Sequence, residues 1–199
     1  MTAIWCIFRN FASHAKELDN AIPPEPKFFI KPASSINQSD ENGDTTVKLL
    51  NHEDIIHHEV EMVVSLDENL RPNNVCIGID MTNRTIQTEA KAEGWPWLES
   101  KGFKESAVLG TWAKWKDVDY HLELYVNNEK RQSDSTSLML NSIDTILESL
   151  NSTYDLNPND LIFTGTPAGV GSLKKGDIVN ATLKNSEGLE VSKLSAIIE

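Results

Sequence analysis

Three carboxylates carry the first chemical signal in this chain: Glu59, Glu61 and Asp80. The glutamates lie in His57-His58-Glu59-Val60-Glu61-Met62-Val63-Val64, and Asp80 opens Asp80-Met81-Thr82-Asn83-Arg84. Strand formers surround Glu59 and Glu61, and charge alternates with apolar side chains. A strand would present both glutamates on one face. Two steps of about 3.3 Å put their Cβ atoms roughly 7 Å apart. Carboxylates that close repel each other unless a positive charge lies between them. A hard divalent cation meets that need, and Mg²⁺ usually leaves several positions to water or substrate. Taken alone, the same alternation also describes a half-exposed strand with Val60 and Met62 turned inward. His57 and His58 are weaker ligand candidates, because three carboxylates suit a hard ion rather than one that prefers imidazole.

Other residues could do chemistry near such an ion. His14 and Glu17 stand at i, i+3, and a carboxylate that orients an imidazole makes it a better proton acceptor. Arg84, Gln87 and Lys101 could hold a substrate carboxylate or carbonyl, Arg84 with two parallel hydrogen bonds. Singly, each of these is as readily a surface residue. Thr164-Gly-Thr-Pro-Ala-Gly-Val-Gly171 invites a nucleotide reading and fails its tests. A Walker loop needs Gly-Lys-Ser/Thr at its end, whereas Ser172 and Leu173 follow here, and Lys174 stands where a GxGxxG from Gly169 needs glycine. The loop is either a tight turn or a set of backbone amides, with Thr166, around an anionic group.

The elements that must position these groups form a strand-rich pattern. Strands are expected at 3–8, 28–30, near 47–50, 56–66, 75–81, 120–126 and 161–163, with two short strands around Gly188. Helices are expected at 11–20, 84–93 and 137–150, the last with Met139, Ile143, Ile146, Leu147 and Leu150 on a core-packing face. Residues 34–46 read as a loop. Asn127-Asn128 reads as a type I′ turn into a further strand. Strands and helices do not alternate regularly, so the pattern indicates an α+β fold rather than a doubly wound sheet. The 199 residues suit a single domain, and 39% hydrophobic content supplies a core.

With 18 Lys+Arg against 30 Asp+Glu, the formal net charge is −12. That argues against nucleic acid or an anionic membrane surface as partner. It leaves room for a small anionic substrate, because a bound cation and a few basic side chains reverse the sign locally. Two separated cysteines, Cys6 and Cys76, make neither a disulfide framework nor a zinc site, and point to a reducing cytoplasm. The segment from Met1 to Phe11 lacks the basic head and long apolar run of a signal peptide. No apolar run approaches a membrane span.

Together these motifs resemble the fumarylacetoacetate hydrolase family, in particular its small single-domain acylpyruvase-like or oxaloacetate decarboxylase-like members. The resemblance runs through Arg9-Asn-Phe-Ala-Ser-His14-Ala-Lys-Glu17, Phe28-Phe-Ile-Lys31-Pro32 and His58-Glu59-Val60-Glu61. It continues through Asp80-Met-Thr-Asn-Arg84 with Gln87, Lys101-Gly-Phe103, Val126-Asn-Asn-Glu129 with Arg131-Gln132, and Asp160 to Gly171. It implies a β-rich mixed fold with a rolled sheet or barrel and a few helices, assembled as a homodimer. It implies one Mg²⁺ or Mn²⁺ per subunit at Glu59, Glu61 and Asp80. It places His14 and Glu17 on a mobile lid, about residues 11–25, and Arg9, Lys31, Arg84, Gln87, Lys101 and Thr166 around substrate. Three departures stand out. Phe8 replaces a usual glycine at the entry to the lid, Asn128 the usual hairpin glycine, and Asn159 the usual glycine before Asp160. Asparagine tolerates the left-handed region better than most residues, so the last two turns should survive.

These positions suggest cleavage of a C–C bond in a small 2,4-dioxo acid of the acylpyruvate or fumarylpyruvate type. The metal would stabilise an enolate, His14 with Glu17 would activate water, and Lys101 would stabilise negative charge. Oxaloacetate decarboxylation or tautomerisation, or isomerisation of an unsaturated oxo acid, would use the same enolate. An inactive metal-binding relative is the alternative from another class.

Overall fold

The structure, a computed structural model, describes residues 2–17, 19, 21–49 and 53–199. The chain opens with β1 (Ile4–Ile7), α1 (Ala12–Glu17), β2 (Phe28–Lys31), β3 (Ile36–Gln38) and β4 (Asp44–Val47). It continues through β5 (Ile56–His58), β6 (Val60–Leu66), β7 (Pro72–Asp80), β8 (Thr82–Asn83), α2 (Arg84–Glu93) and α3 (Leu98–Lys101). Then come β9 (Ala107–Leu109), β10 (Ala113–Lys114), β11 (His121–Val126), β12 (Glu129–Ser135) and α4 (Ile143–Asn151). The last strands are β13 (Leu161–Phe163), β14 (Gly171–Leu173), β15 (Ile178–Lys184) and β16 (Glu190–Ile198).

An eight-stranded sheet runs β2-β1-β13-β6-β7-β9-β3, with β10 also on β7. A five-stranded sheet runs β12-β11-β15-β16-β4, and β14-β5-β8 form a small third sheet. The fold is α+β, as the irregular alternation of elements implied.

The two larger sheets pack face to face, β6 and β7 against β11, β15 and β16. Period-two alternation decides what each face carries. Val60, Met62, Val64 and Leu66 of β6 and Val75, Ile77 and Ile79 of β7 enter the main core with Leu122, Leu124, Val179, Ala181 and Leu194. Ile143, Ile146, Leu147 and Leu150 of α4 join that core, and the Ser142 side chain caps the helix by accepting the Thr145 N–H at 3.2 Å. On the other face of the sheet, Val63 and Cys76 pack with Ile4, Cys6, Leu161 and Phe163. Glu61 and Asp80 share the strand parity of Val63 and Cys76, which sets them on that second face.

Several expectations change. Residues 34–46 are not a continuous loop: β3 pairs in parallel with β9 and β4 in parallel with β16. Both pairings are non-local, so neither leaves a trace in local composition. The strand expected near 47–50 stops at Val47, and Leu50 lies outside the described residues, as do Leu18 and Asn20 of the helix expected at 11–20. The strand expected at 56–66 is interrupted at Glu59. The helix expected from 137 begins at Ile143, after a 3-10 turn at Thr136–Leu138. A fourth helix, α3, was not foreseen, and the last two strands are longer than expected, at 7 and 9 residues. The turn chemistry holds: Asn127, Asn128 and Asn159 adopt φ of 51°, 66° and 67°.

Gly78 faces Glu61 across the β6–β7 ladder. A Cβ there would sit 2.6 Å from Val63 Cγ2, 3.2 Å from the Val108 carbonyl oxygen and 3.3 Å from Phe163 Cε1. Gly78→Ala is therefore expected to destabilise the protein by about 1–3 kcal/mol, read as a lower urea midpoint at unchanged slope.

Candidate active site

The three carboxylates assemble through strand pairing. Glu59 sits at the break between β5 and β6, and its carbonyl accepts the Asp80 N–H at 2.9 Å. Glu59 and Asp80 are thus cross-strand partners, and Glu61 lies two residues along from Glu59, opposite Gly78. All three are buried, and one oxygen of each lies within 4.8 Å of the others.

Three basic side chains offset this charge. Lys101 Nζ donates to Glu59 Oε2 at 2.8 Å, Asp80 Oδ2 at 2.7 Å and Thr82 Oγ1 at 2.6 Å, which occupies all three of its protons. Arg84 pairs with Glu59 Oε1, donates to Gln87 Oε1 at 2.8 Å and donates from Nε to His57 Nδ1 at 3.3 Å. Lys31 Nζ lies 2.7 Å from Asp80 Oδ1 and donates to the Ser106 carbonyl at 3.0 Å and to the Lys101 carbonyl. Glu61 has no ion pair among the described residues. Its Oε2 accepts the Gly165 N–H at 2.7 Å.

The electrostatics follow from that wiring. Burial opposes ionisation of Glu59, but Lys101 and Arg84 outweigh it and hold the carboxyl well below its usual range. Burial, Asp80 and Glu59 push the Glu61 carboxyl well above its usual range. Burial opposes the charge on Lys101, yet Asp80 and Glu59 raise its pKa. His57 is pushed down to about 4 by burial and by Arg84, so it is a neutral acceptor at pH 7.

The residues present fit a hard divalent cation. Three anionic oxygens converge, Asp80 Oδ1 is buried without an aligned hydrogen bond, and the Lys101 ammonium already bridges Glu59 and Asp80 as a cation would.

The elements around the triad bring further groups to it. Asn83 caps α2 by accepting the Ile86 N–H at 3.0 Å, so the helix starts at Arg84, directly after β8 and four residues beyond Asp80 at the end of β7. The glycine-rich loop passes over the triad with Gly165 at φ 92° and Gly169 at φ 103°. Its amides do hold anionic groups, and these are the protein's own: Gly165 binds Glu61, and the Gly169 N–H donates to Glu17 Oε1 at 3.0 Å. Glu17 Oε2 lies 3.2 Å from His14 Nδ1, and His14 is 6% exposed. The dyad is therefore formed, and Gly169 anchors it.

A cavity of about 40 Å³ gathers Arg9, His14, Glu59, Glu61, Asp80, Arg84, Gln87, Lys101 and Thr166 of the expected site residues. Glu17 stands behind His14 and does not line it, and Lys31 does not either. Lys31 is fully buried, with its ammonium consumed behind Asp80. Trp97, expected only to pack, lines the cavity against Phe8 and Phe29.

Gln132 has a structural part that its sequence neighbourhood does not announce. Its Oε1 accepts the Val60 N–H and contacts His58 Nδ1, each at 3.0 Å, and its Nε2 donates to Thr166 Oγ1 at 2.7 Å. No local signal marks it, since it is one buried residue in a strand otherwise exposed or half-buried. Asn10 is likewise unmarked, and ties the Thr164 carbonyl (2.9 Å) to the Asn141 carbonyl (3.0 Å).

Comparison with known proteins places the chain in a family. The family model described as fumarylacetoacetate (FAA) hydrolase C-terminal matches residues 3–193. The mitochondrial oxaloacetate tautomerase oaa1 of Schizosaccharomyces pombe is 39% identical over 94% of this chain and 90% of its own length. A mitochondrial oxaloacetate tautomerase of Arabidopsis thaliana is 37% identical over 90% of this chain and 85% of its own. The crystal structure of fumarylpyruvate hydrolase from Pseudomonas aeruginosa in complex with Mn²⁺ and pyruvate superposes with a TM-score of 0.88 at 26% identity, covering 100% of this chain and 91% of that one. The two tautomerases are mitochondrial, unlike the cytoplasmic setting expected from the unpaired thiols. Among the described residues, no helix is long and apolar enough to cross a membrane.

Two outcomes are expected at this site. Lys31→Met should lower stability by about 3–5 kcal/mol in urea denaturation, because it removes the ammonium beside the buried Asp80 Oδ1 and leaves that oxygen without a counter-charge. Wild-type stability with only a raised KM would return Lys31 to substrate binding. Because the Glu61 carboxyl sits above its usual 4.5, a cation must displace its proton. Mn²⁺ affinity should therefore rise with pH from 4.5 upward, and calorimetry in buffers of different ionisation enthalpy should detect the released proton.

Proposed function

The chain belongs to the fumarylacetoacetate hydrolase family, and from that premise we propose that it catalyses keto–enol tautomerisation of oxaloacetate. The observation that carries this reading is likeness to named oxaloacetate tautomerases along nine-tenths of the chain, and a small basic cavity around a formed proton-transfer dyad supports it.

Glu59, Glu61 and Asp80 would hold one Mg²⁺ or Mn²⁺ per subunit. When bound, that ion supplies Lewis-acid polarisation of the 2-oxo group, which acidifies the neighbouring C3–H. Arg84 and Gln87 bind the carboxylate and carbonyl oxygens of the acid. His14 Nε2 takes a proton from C3 and can return it, while Glu17 on Nδ1 fixes the ring and its tautomer. Thr166 Oγ1 already accepts from Gln132, so its own O–H is free to donate a hydrogen bond to the 2-oxo oxygen as negative charge develops there, and the proton that His14 took from C3 is the one that completes the enol hydroxyl. Lys101 acts through Glu59 and Asp80, because its three protons are taken. A dyad that seemed suited to activating water thus serves equally to carry the C3 proton. Decarboxylation would pass through the same enolate, and a homodimer without nucleic-acid or membrane partners belongs to this reading.

Hydrolysis of a 2,4-dioxo acid is the second reading. It is favoured by likeness to the Pseudomonas fumarylpyruvate hydrolase, and it requires His14 to act on water instead of C3–H. The test follows enol absorbance with Mn²⁺ present, using oxaloacetate and acetylpyruvate side by side. Faster loss of the oxaloacetate enol is expected, and preferential cleavage of acetylpyruvate would shift the assignment to hydrolase. His14→Ala should lower kcat by about 10²- to 10⁴-fold and leave Mn²⁺ affinity unchanged.

A further inference from the structure

Four basic side chains line the cavity: Arg9, Arg84, Lys91 and Lys101. Arg84 and Lys101 are engaged by the triad. Arg9 and Lys91 have no carboxylate partner among the described residues, in a chain with 30 acidic and 18 basic residues. The Arg9 guanidinium donates to the Ala21 carbonyl at 2.8 Å and lies 4.1 Å from the Phe8 ring centroid. The Lys91 ammonium lies 5.5 Å from the Trp97 ring centroid. Each is steadied against an aromatic face, and each keeps donors free.

Their place along α2 gives the arrangement a direction. Arg84, Gln87 and Lys91 stand at i, i+3 and i+7, so they share one helix face. Arg84 is half-buried and bonded to Glu59, Gln87 is buried beside it, and Lys91 is exposed at the rim. Seven residues rise about 10 Å, and helical side chains lean toward the N-terminus. The Lys91 ammonium therefore reaches back over Gln87 toward the triad. Between the deep and outer cations the wall is apolar, formed by Phe8, Phe29 and Trp97. That sequence of polar end, apolar wall and cationic rim matches an acid with a 2-oxo carboxylate at one end, a methylene in the middle and a second carboxylate at the other.

We propose that Lys91, with Arg9, forms an outer carboxylate subsite that selects four-carbon 2-oxo dicarboxylates over 2-oxo monocarboxylates of equal length. The proposal rests on the reading above for the inner end, where the 2-oxo acid group meets the triad. Burial, Arg84 and Arg9 together depress the Lys91 pKa, and an anion seated among these cations relieves that repulsion. Arg9 holds φ at 55°, a strained conformation for a residue other than glycine, and lines the cavity from the entry to α1.

The test uses Mn²⁺-loaded protein and two stable hydroxy acids of four carbons, malate and 2-hydroxybutanoate, titrated by calorimetry. Wild type should bind malate more tightly. Lys91→Gln should reduce that preference about tenfold, the size of one charge-assisted hydrogen bond, and leave 2-hydroxybutanoate unchanged. Lys91→Arg should preserve the preference, and Arg9→Gln should reduce it. Equal weakening of both acids, or no change in either, overturns the subsite. Malate preference that depends on Lys91, in a protein that does not tautomerise oxaloacetate, sustains the subsite and overturns the proposed reaction instead.

Discussion

Everything at this site depends on keeping three carboxylates buried within a few ångströms of one another. Burial of a single charge without a partner is prohibitive, and three like charges add mutual repulsion. Lys101 resolves most of it by bridging Glu59 and Asp80. Lys31 supports Asp80 from behind, and Arg84 holds the outer oxygen of Glu59. Glu61 is left with one backbone amide, and its carboxyl responds by favouring the protonated form. The site is wired for one more positive charge, and Glu61, without an ion pair among the described residues, is where the wiring is incomplete.

The fold serves that constraint through the two faces of one strand pair. The inward face of β6 and β7 is continuous with the main core, so the strands cannot slide without exposing Met62 and Ile77 to a polar surface. With register fixed on one face, the positions of Glu61 and Asp80 on the other follow. The glycine-rich loop and α1 close over that second face. Their attachment runs through Gly165 to Glu61 and through Gly169 to Glu17. The triad and the dyad are thus bonded to one loop, which couples the order of the covering segment to the site beneath it.

A cavity of this kind supports several outcomes from one enolate. Removing a proton from C3 gives the tautomer, losing the outer carboxylate gives decarboxylation, and admitting water to a distal carbonyl gives cleavage. On the proposed reading the triad and Arg84 would serve all three, and what would separate them is the far end of the cavity, lined by Arg9, Lys91 and the aromatic wall. The sequence motifs emphasise the shared machinery, which is why motifs alone lean to hydrolysis, while the two curated relatives compared above are named oxaloacetate tautomerases.

Local sequence determined a good deal. Alternation around Glu59 and Glu61 gave their common face, the 3.6-residue period set Arg84, Gln87 and Lys91 on one side of α2, and Asn127-Asn128 specified its turn. These are short-range properties, governed by backbone periodicity and by which residues tolerate positive φ. Only the tertiary structure decided which charges meet. Lys31 and Asp80 are 49 residues apart and Gln132 and Thr166 are 34 apart, and nothing in either neighbourhood announces the partner. The same holds for β3 and β4, polar segments that become strands because β9 and β16 offer parallel edges. Periodicity says which face a side chain joins. What it finds on that face is set by chain segments far away in sequence, and there a lysine that looked ready for substrate became the buried counter-charge of a carboxylate.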